Sequence, residues 1–296
     1  MASKMQLDEW ARVAKVDPMM VHYGVMIVGV AGSVMKLTAR AHRDVFSLSS
    51  DTVARSSWVP TGALLAYRLA AAVFCTCIMV GEMATFGIKE MRFFTQWTFL
   101  LLVFYFIVAT RSSWMLMRKK AAKGARKQKP RLDAISFFLV VAFHVNLAIA
   151  CVIDITFWFL MIPNYEANHP DPATREYLGR KFYCLYSYVQ HGYNVALLLG
   201  DFALNDIPYL RSVAPWSMLW AIAYGIFTSA YHSRTGTWLY PFVDTTNLVS
   251  SIYFVCLAAS LRLFGFMHKL LYCLKCFLIR ASRDRSENGA HNGKSI

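Results

Sequence analysis

The chain has 296 residues, 57% of them hydrophobic and only 16% charged, with a net charge of +14. Soluble domains carry about 25% charged residues, so too little polar surface remains to cover a soluble body of this size. The basic residues lie between and after apolar runs rather than in a stripe interleaved with aromatics. That argues against nucleic-acid binding and for topology control and contact with anionic headgroups.

In chain order, the start, MASKMQLDEWARVAK, mixes charges of both signs and shows no cleavable signal peptide. Residues Met19–Met35 are apolar but hold three glycines, a serine and a histidine. They read as an interfacial or buried helix within a cytoplasmic N-terminal region, residues 1–61. Six spans then follow at roughly Gly62–Phe86, Phe93–Met117, Ala134–Ile162, Phe182–Asn205, Val213–Tyr231 and Thr245–Met267. Each is long enough for a hydrocarbon core about 30 Å thick at about 1.5 Å per residue. The expected fold is an all-α integral membrane bundle of about six helices, residues 62–267, followed by a basic, disordered cytoplasmic tail, residues 268–296.

Lysine and arginine counts orient the bundle. Twenty-three lie on the side that holds both termini and the loop Arg118–Arg131, and six on the other. The excess places both termini in the cytoplasm. Loop Arg118–Arg131 reads as a strip for anionic headgroups. Seven cysteines form no disulfide framework, and the lone pair Cys273 and Cys276 lacks the four ligands of a zinc site. Those two thiols suit palmitoylation at the membrane surface. No metal and no cofactor are expected.

Ionisable groups inside a bilayer cost several kcal/mol unless partnered. Arg68 lies about 9 Å and Asp201 about 6 Å from the cytoplasmic face, so the two are expected to form a structural ion pair. In the outer leaflet, Asp154 and His191 lie about 12 and 13 Å deep. Thr95 and Thr98 share one face of the second span there. A hydroxyl, an imidazole and a carboxylate at one depth form a nucleophile, base and orienter set, with Thr95, His191 and Asp154 in those roles. The same residues also fit plain helix packing, because threonine bonds its own backbone and histidine bonds across helices. Asn194, one turn after His191, can hold a lipid carbonyl but cannot act as a base. In the loop His232–Asp244, Gly236 permits a tight turn, and Trp238 and Tyr240 suit the headgroup interface. His232 and Asp244 are expected to cap the outer-leaflet pocket.

Four stretches carry a resemblance: GTWLYPFVD preceded by His232, LLAYRLAAAVF around Arg68, RFFTQWTFLLLVFYF around Thr95, and QHGYNVALLLGDF around His191. Their order and spacing from about Gly62 to Met267 resemble the androgen-induced protein/rolling stone family of multi-pass membrane proteins. The resemblance implies an endoplasmic reticulum or plasma membrane location and lipid partners. Its androgen-induced branch implies a fatty-acid-ester hydrolase with a threonine nucleophile, which falls on Thr95. The histidine that those hydrolases need falls on Asn194, where the rolling stone branch also has asparagine. Two expectations follow: a lipid ester hydrolase in which His191 replaces the missing base, or a non-catalytic protein of adhesion, fusion or lipid binding.

Overall fold

The computed structural model describes residues 17–38, 50–121, 134–168, 171–246 and 248–292. Among them all regular structure is helical: α1 (Pro18–Thr38), α2 (Ser50–Ala54), α3 (Thr61–Phe86), α4 (Phe94–Ala121), α5 (Ala134–Thr156), α6 (Ile162–Asn168), α7 (Pro172–Phe182), α8 (Leu185–Tyr188), α9 (Asn194–Leu204), α10 (Ala214–Thr235) and α11 (Leu248–Asn292). A π turn, Phe157–Met161, joins α5 to α6, and another, Val189–Tyr193, joins α8 to α9. Short 3₁₀ turns link several of the others. The expected all-α membrane bundle is the fold observed.

Five stretches are long and apolar enough to cross a membrane: Pro18–Leu37, Thr61–Phe86, Phe94–Ala121, Ala134–Ala167 and Leu248–Ser282. They make the chain a multi-pass membrane protein. The set differs from the six expected spans. The fourth is broken by its π turn and leaves only an 11-residue regular helix, α9. The fifth, α10, has 22 residues but is less apolar. The segment Met19–Met35, read as an interfacial or buried helix, packs lengthwise into the bundle and is itself long and apolar enough to cross a membrane.

Contacts define two ends. At the basic end, Ser57 and Arg55 meet Asp206 after α9, and Lys120 at the end of α4 donates to Thr61 at the start of α3 (2.9 Å). At the opposite end, the Phe94 amide donates to the Tyr240 hydroxyl (3.0 Å), and Lys181 pairs with Glu90 (2.8 Å). Helix α1 joins both. His22, near its start, meets Ser251 of α11 at 3.1 Å, and Ser33, near its end, donates to the Pro215 carbonyl at the start of α10 (3.5 Å). It therefore runs antiparallel to α10 along most of its length. Gly29 explains the close approach, because a Cβ there would meet the Ile222 side chain at 2.9 Å. Small residues at such crossings are the usual means of packing helices in lipid.

Local chemistry sets the boundaries. Helix α10 carries Pro215 in its first turn and is capped by Gly236, whose φ of 69° is left-handed and whose amide returns to the His232 carbonyl (2.8 Å). The tight turn expected at Gly236 is therefore present. Pro163 lacks the amide that would bond the Phe159 carbonyl, and the widened π turn just before it absorbs that loss. Past the last expected span, α11 continues as helix to Asn292. His268 and Lys275 anchor it, buried against the bundle, with Lys275 donating to the carbonyls of Phe202 and Asn205.

The main core lies between α3, α4, α5 and α9, around Leu102, Phe106, Phe143 and Leu198. A second lies between α5, α10 and α11, and a third, aromatic one lies at the opposite end around Tyr224 and Tyr240. Outside them, Val73, Phe104, Phe159, Ile226 and Leu263 face outward, as suits a surface in contact with acyl chains.

Candidate functional site

The Arg68–Asp201 pair forms as the depths required. Arg68 Nε donates to Asp201 Oδ1 at 2.7 Å, and Nη2 reaches Oδ2 at 3.3 Å. Both side chains are fully buried. The remaining lone pairs are also met, by the Tyr105 hydroxyl and by Asn205 Nδ2 (2.8 Å). Arg68 Nη1 donates to the Val53 carbonyl (3.1 Å) and the Ser113 hydroxyl (2.9 Å), tying α2, α3, α4 and α9 together. Every charge in this cluster is spoken for, which suits structure rather than catalysis.

At the other end, a cavity of about 110 Å³ lies between α1, α4, α5, α10 and α11. Its wall is almost wholly apolar, with Met26, Ile153, Ile222 and Leu257 among the lining residues. Thr95, His191 and Tyr240 are the main polar groups on it. The structure thus brings Thr95 and His191 to one space. The Tyr240 hydroxyl accepts from the amide of Phe94, the residue before Thr95 (3.0 Å).

Asp154 does not join them. It accepts from Asn194 Nδ2 at 3.0 Å, and the same amide nitrogen also reaches the Gln190 carbonyl at 2.7 Å. His191 instead stacks flat on Phe157, ring centroids 3.6 Å apart and planes at 2°. Its Nδ1 is buried without a hydrogen-bond partner. The expected orienter is therefore absent from His191, and the cause is the backbone. In a straight helix residues 191 and 194 share a face. The π turn gives His191 φ −126° and ψ 29° and separates the two side chains. The freed His191 carbonyl accepts from the Trp158 indole, so the two π turns pack against each other.

The other expected pocket residues divide. Thr98 accepts from the Trp220 indole (3.4 Å) and, with Thr95, Asn146, Gln190 and Asn194, lines a small space beside the main cavity. Tyr240 lines the cavity, together with Phe242 and Val243 of its own loop. His232 stacks on Trp238 at 4.0 Å, and Asp244 accepts from the Thr246 amide (2.9 Å) and hydroxyl (2.6 Å). None of His232, Trp238 and Asp244 lines the cavity, so the apolar 240–243 stretch closes it rather than the polar residues expected to cap it.

Sequence reasoning missed a carboxylate–amide cluster next to the cavity. Gln96 Nε2 donates to both oxygens of Glu82 (2.8 Å each) and to Gln190 Oε1 (2.9 Å), and Gln190 Nε2 also donates to Glu82. All three are buried. The available signal was adjacency, because Gln96 follows Thr95 and Gln190 precedes His191. The headgroup strip Arg118–Arg131 lies mostly outside the described residues. Of its described part, Lys119 pairs with Asp51 (2.9 Å) and Arg118 lies over Trp114 (5.1 Å). Among the described residues no group of histidine, cysteine and carboxylate side chains could hold a metal ion.

No protein-family model, no curated protein and no solved structure matches the chain.

Proposed function

We propose that this multi-pass membrane protein binds the acyl chain of a membrane lipid in the cavity beside Thr95 and His191. The observation that carries this reading is the cavity's lining, apolar except for Thr95, Thr156, His191, Tyr224 and Tyr240. Such a lining suits a hydrocarbon tail whose carbonyl meets the Thr95 or Tyr240 hydroxyl. Lipid retained on the purified protein in native mass spectrometry tests it. Protein free of bound lipid after mild detergent extraction would contradict it.

One observation favours a second reading. Thr95 and His191 share the cavity, as a threonine ester hydrolase of the androgen-induced type would need. Against it stand the separation of Asp154 from His191 and the position of Asn194. Fluorophosphonate labelling separates the two. Labelling lost in Thr95→Ala supports hydrolysis, whereas unlabelled wild-type protein that still carries lipid supports binding, the rolling stone-like reading.

The topology follows from α1. As a crossing helix it carries Lys4, Arg12 and Lys15 to the outer side, which leaves nineteen basic residues inside against nine outside, with Arg68, Arg111 and Arg262 uncounted within spans. The basic end and the C-terminus then face the cytoplasm and Asp17 faces out, in place of the shared side expected for both termini. The membrane is an endomembrane or the plasma membrane. An N-terminal epitope accessible only after permeabilisation would overturn this arrangement.

A further inference from the structure

We propose that a second cavity, toward the basic end, binds the headgroup of an anionic phospholipid that also carries a hydroxyl or ammonium donor. This site is separate from the acyl-chain cavity and does not depend on it. It lies between α5, α10, α11 and the turn before α10, and its volume is about 290 Å³. That sits at the lower bound of the roughly 300–1,000 Å³ of small-molecule pockets, enough for a headgroup while the tails stay in the bilayer.

Its polar lining is His144, Tyr209, Ser217, Arg262 and His268. The two imidazole rings lie 4.5 Å apart, and the Tyr209 ring is 5.8 Å from His144 and 5.4 Å from His268. His144 is only 4% exposed. Its Nδ1 meets the Val140 carbonyl at 2.7 Å. A carbonyl can only accept, so Nδ1 carries the proton and Nε2 presents a bare lone pair. That Nε2 is buried and has no partner. It needs a donor, which a bare phosphodiester lacks.

Arg262 supplies the complementary half. It lies within the apolar stretch Leu248–Ser282, is exposed, and makes no ion pair with a carboxylate among the described residues. A guanidinium at that depth is costly without a counter-charge. A lipid phosphate provides one and accepts the planar fork through two oxygens. Phosphate at Arg262 and a headgroup donor at His144 define the ligand.

The test uses the full chain in nanodiscs of phosphatidylcholine doped with phosphatidylinositol, phosphatidylserine or phosphatidylmethanol, with retained lipid counted by native mass spectrometry. Phosphatidylmethanol has the phosphate charge but no headgroup donor. Expected is at least tenfold enrichment of the inositol and serine lipids over phosphatidylcholine, with phosphatidylmethanol between. Arg262→Gln should abolish the enrichment of all anionic lipids. His144→Phe should lower the inositol lipid to the phosphatidylmethanol level. Arg111→Gln, which removes an exposed arginine of α4 that does not line the cavity, should change nothing. Wild-type protein without anionic enrichment, or Arg262→Gln that keeps it, would overturn the proposal. Glycerol phosphate that displaces the lipid at equal concentration would overturn the lipid assignment in favour of a soluble phosphate ester. If Arg262→Gln fails to fold, the wild-type melting temperature decides. It should rise more with phosphatidylinositol than with phosphatidylmethanol, and equal shifts would contradict the donor at His144.

Discussion

The Arg68–Asp201 cluster and the cavity beside Thr95 treat buried polarity in opposite ways. In the cluster, Arg68 and Asp201 are fully buried and their hydrogen-bonding capacity is met by Val53, Tyr105, Ser113 and Asn205. On the cavity wall, His191 Nδ1 is buried without a partner. Buried polar groups are normally bonded, so exceptions need a reason. A closed network fixes helix register. Open valences beside an apolar cavity mark where a ligand, rather than the protein, completes the site.

The largest effect expected from this contrast is in the closed cluster. Arg68→Leu strands the Asp201 carboxylate and should cost about 3–5 kcal/mol of stability. The double change to leucine at both positions should recover a substantial part, because no charge remains buried. Thermal unfolding in detergent measures both, and additive losses would remove the pairing from the account.

Next in size is the crossing of α3 with α9. Tyr67 donates to the Leu197 carbonyl at 2.7 Å and presses on Gly200, where an added Cβ would overlap the tyrosine hydroxyl. Gly200→Ala should therefore cost about 1–3 kcal/mol, the usual range for overpacking. Tyr67→Phe in the same chain should recover part of it by removing the overlapping oxygen. A double mutant no more stable than Gly200→Ala alone would show that the strain lies elsewhere.

The cavity beside Thr95 should respond far less. His191→Phe keeps the stack on Phe157 and removes no side-chain hydrogen bond found in the structure, so its stability cost should stay below about 1.5 kcal/mol. A loss near that of Arg68→Leu would mean that the histidine is structural, and the contrast between cluster and cavity would fail.

The smallest expected effect lies outside the membrane. The Asp171 side chain caps α7 by accepting from the Thr174 amide (2.9 Å), and that bond lowers its pKa below the ordinary carboxylate value. A lowered folded pKa means the cap is fully present above the usual carboxylate range and is lost as pH falls through the folded value. Protection of the α7 amides, taken as exchange relative to the intrinsic rate at each pH, should fall at acid pH in wild type and already at neutral pH in Asp171→Ala.

Much of this arrangement was legible in the sequence. Apolar runs located α3, α4, α5 and α11, and depth counting along straight helices paired Arg68 with Asp201, since both lie in regular stretches. The same counting failed for Asp154 and His191 because the π turn at Val189–Tyr193 breaks the helical period between His191 and Asn194. Side-chain spacing does not reveal such a turn, although Gly192 beside His191 and Pro163 after the partner turn are compatible with one. Whether helix α1 crosses the membrane was less legible, because its three glycines lower its apolar character. Their value appears only in packing, where Gly29 admits Ile222. The Glu82–Gln96–Gln190 cluster stayed hidden because amides carry no charge to flag them within a span.

The central claim is that the cavity beside Thr95 holds an acyl chain. A phospholipid with a photoreactive diazirine near the end of one acyl chain tests it most directly, followed by mass-spectrometric mapping of the crosslinked peptides in wild type and in Ala258→Phe. Ala258 lines the cavity, and the added ring would occupy it. The account predicts crosslinks on the peptides that carry Met26, Ile153 or Leu257, lost in Ala258→Phe while the protein remains folded. Crosslinks confined to the outer bundle surface, or cavity crosslinks unchanged by Ala258→Phe, would contradict it.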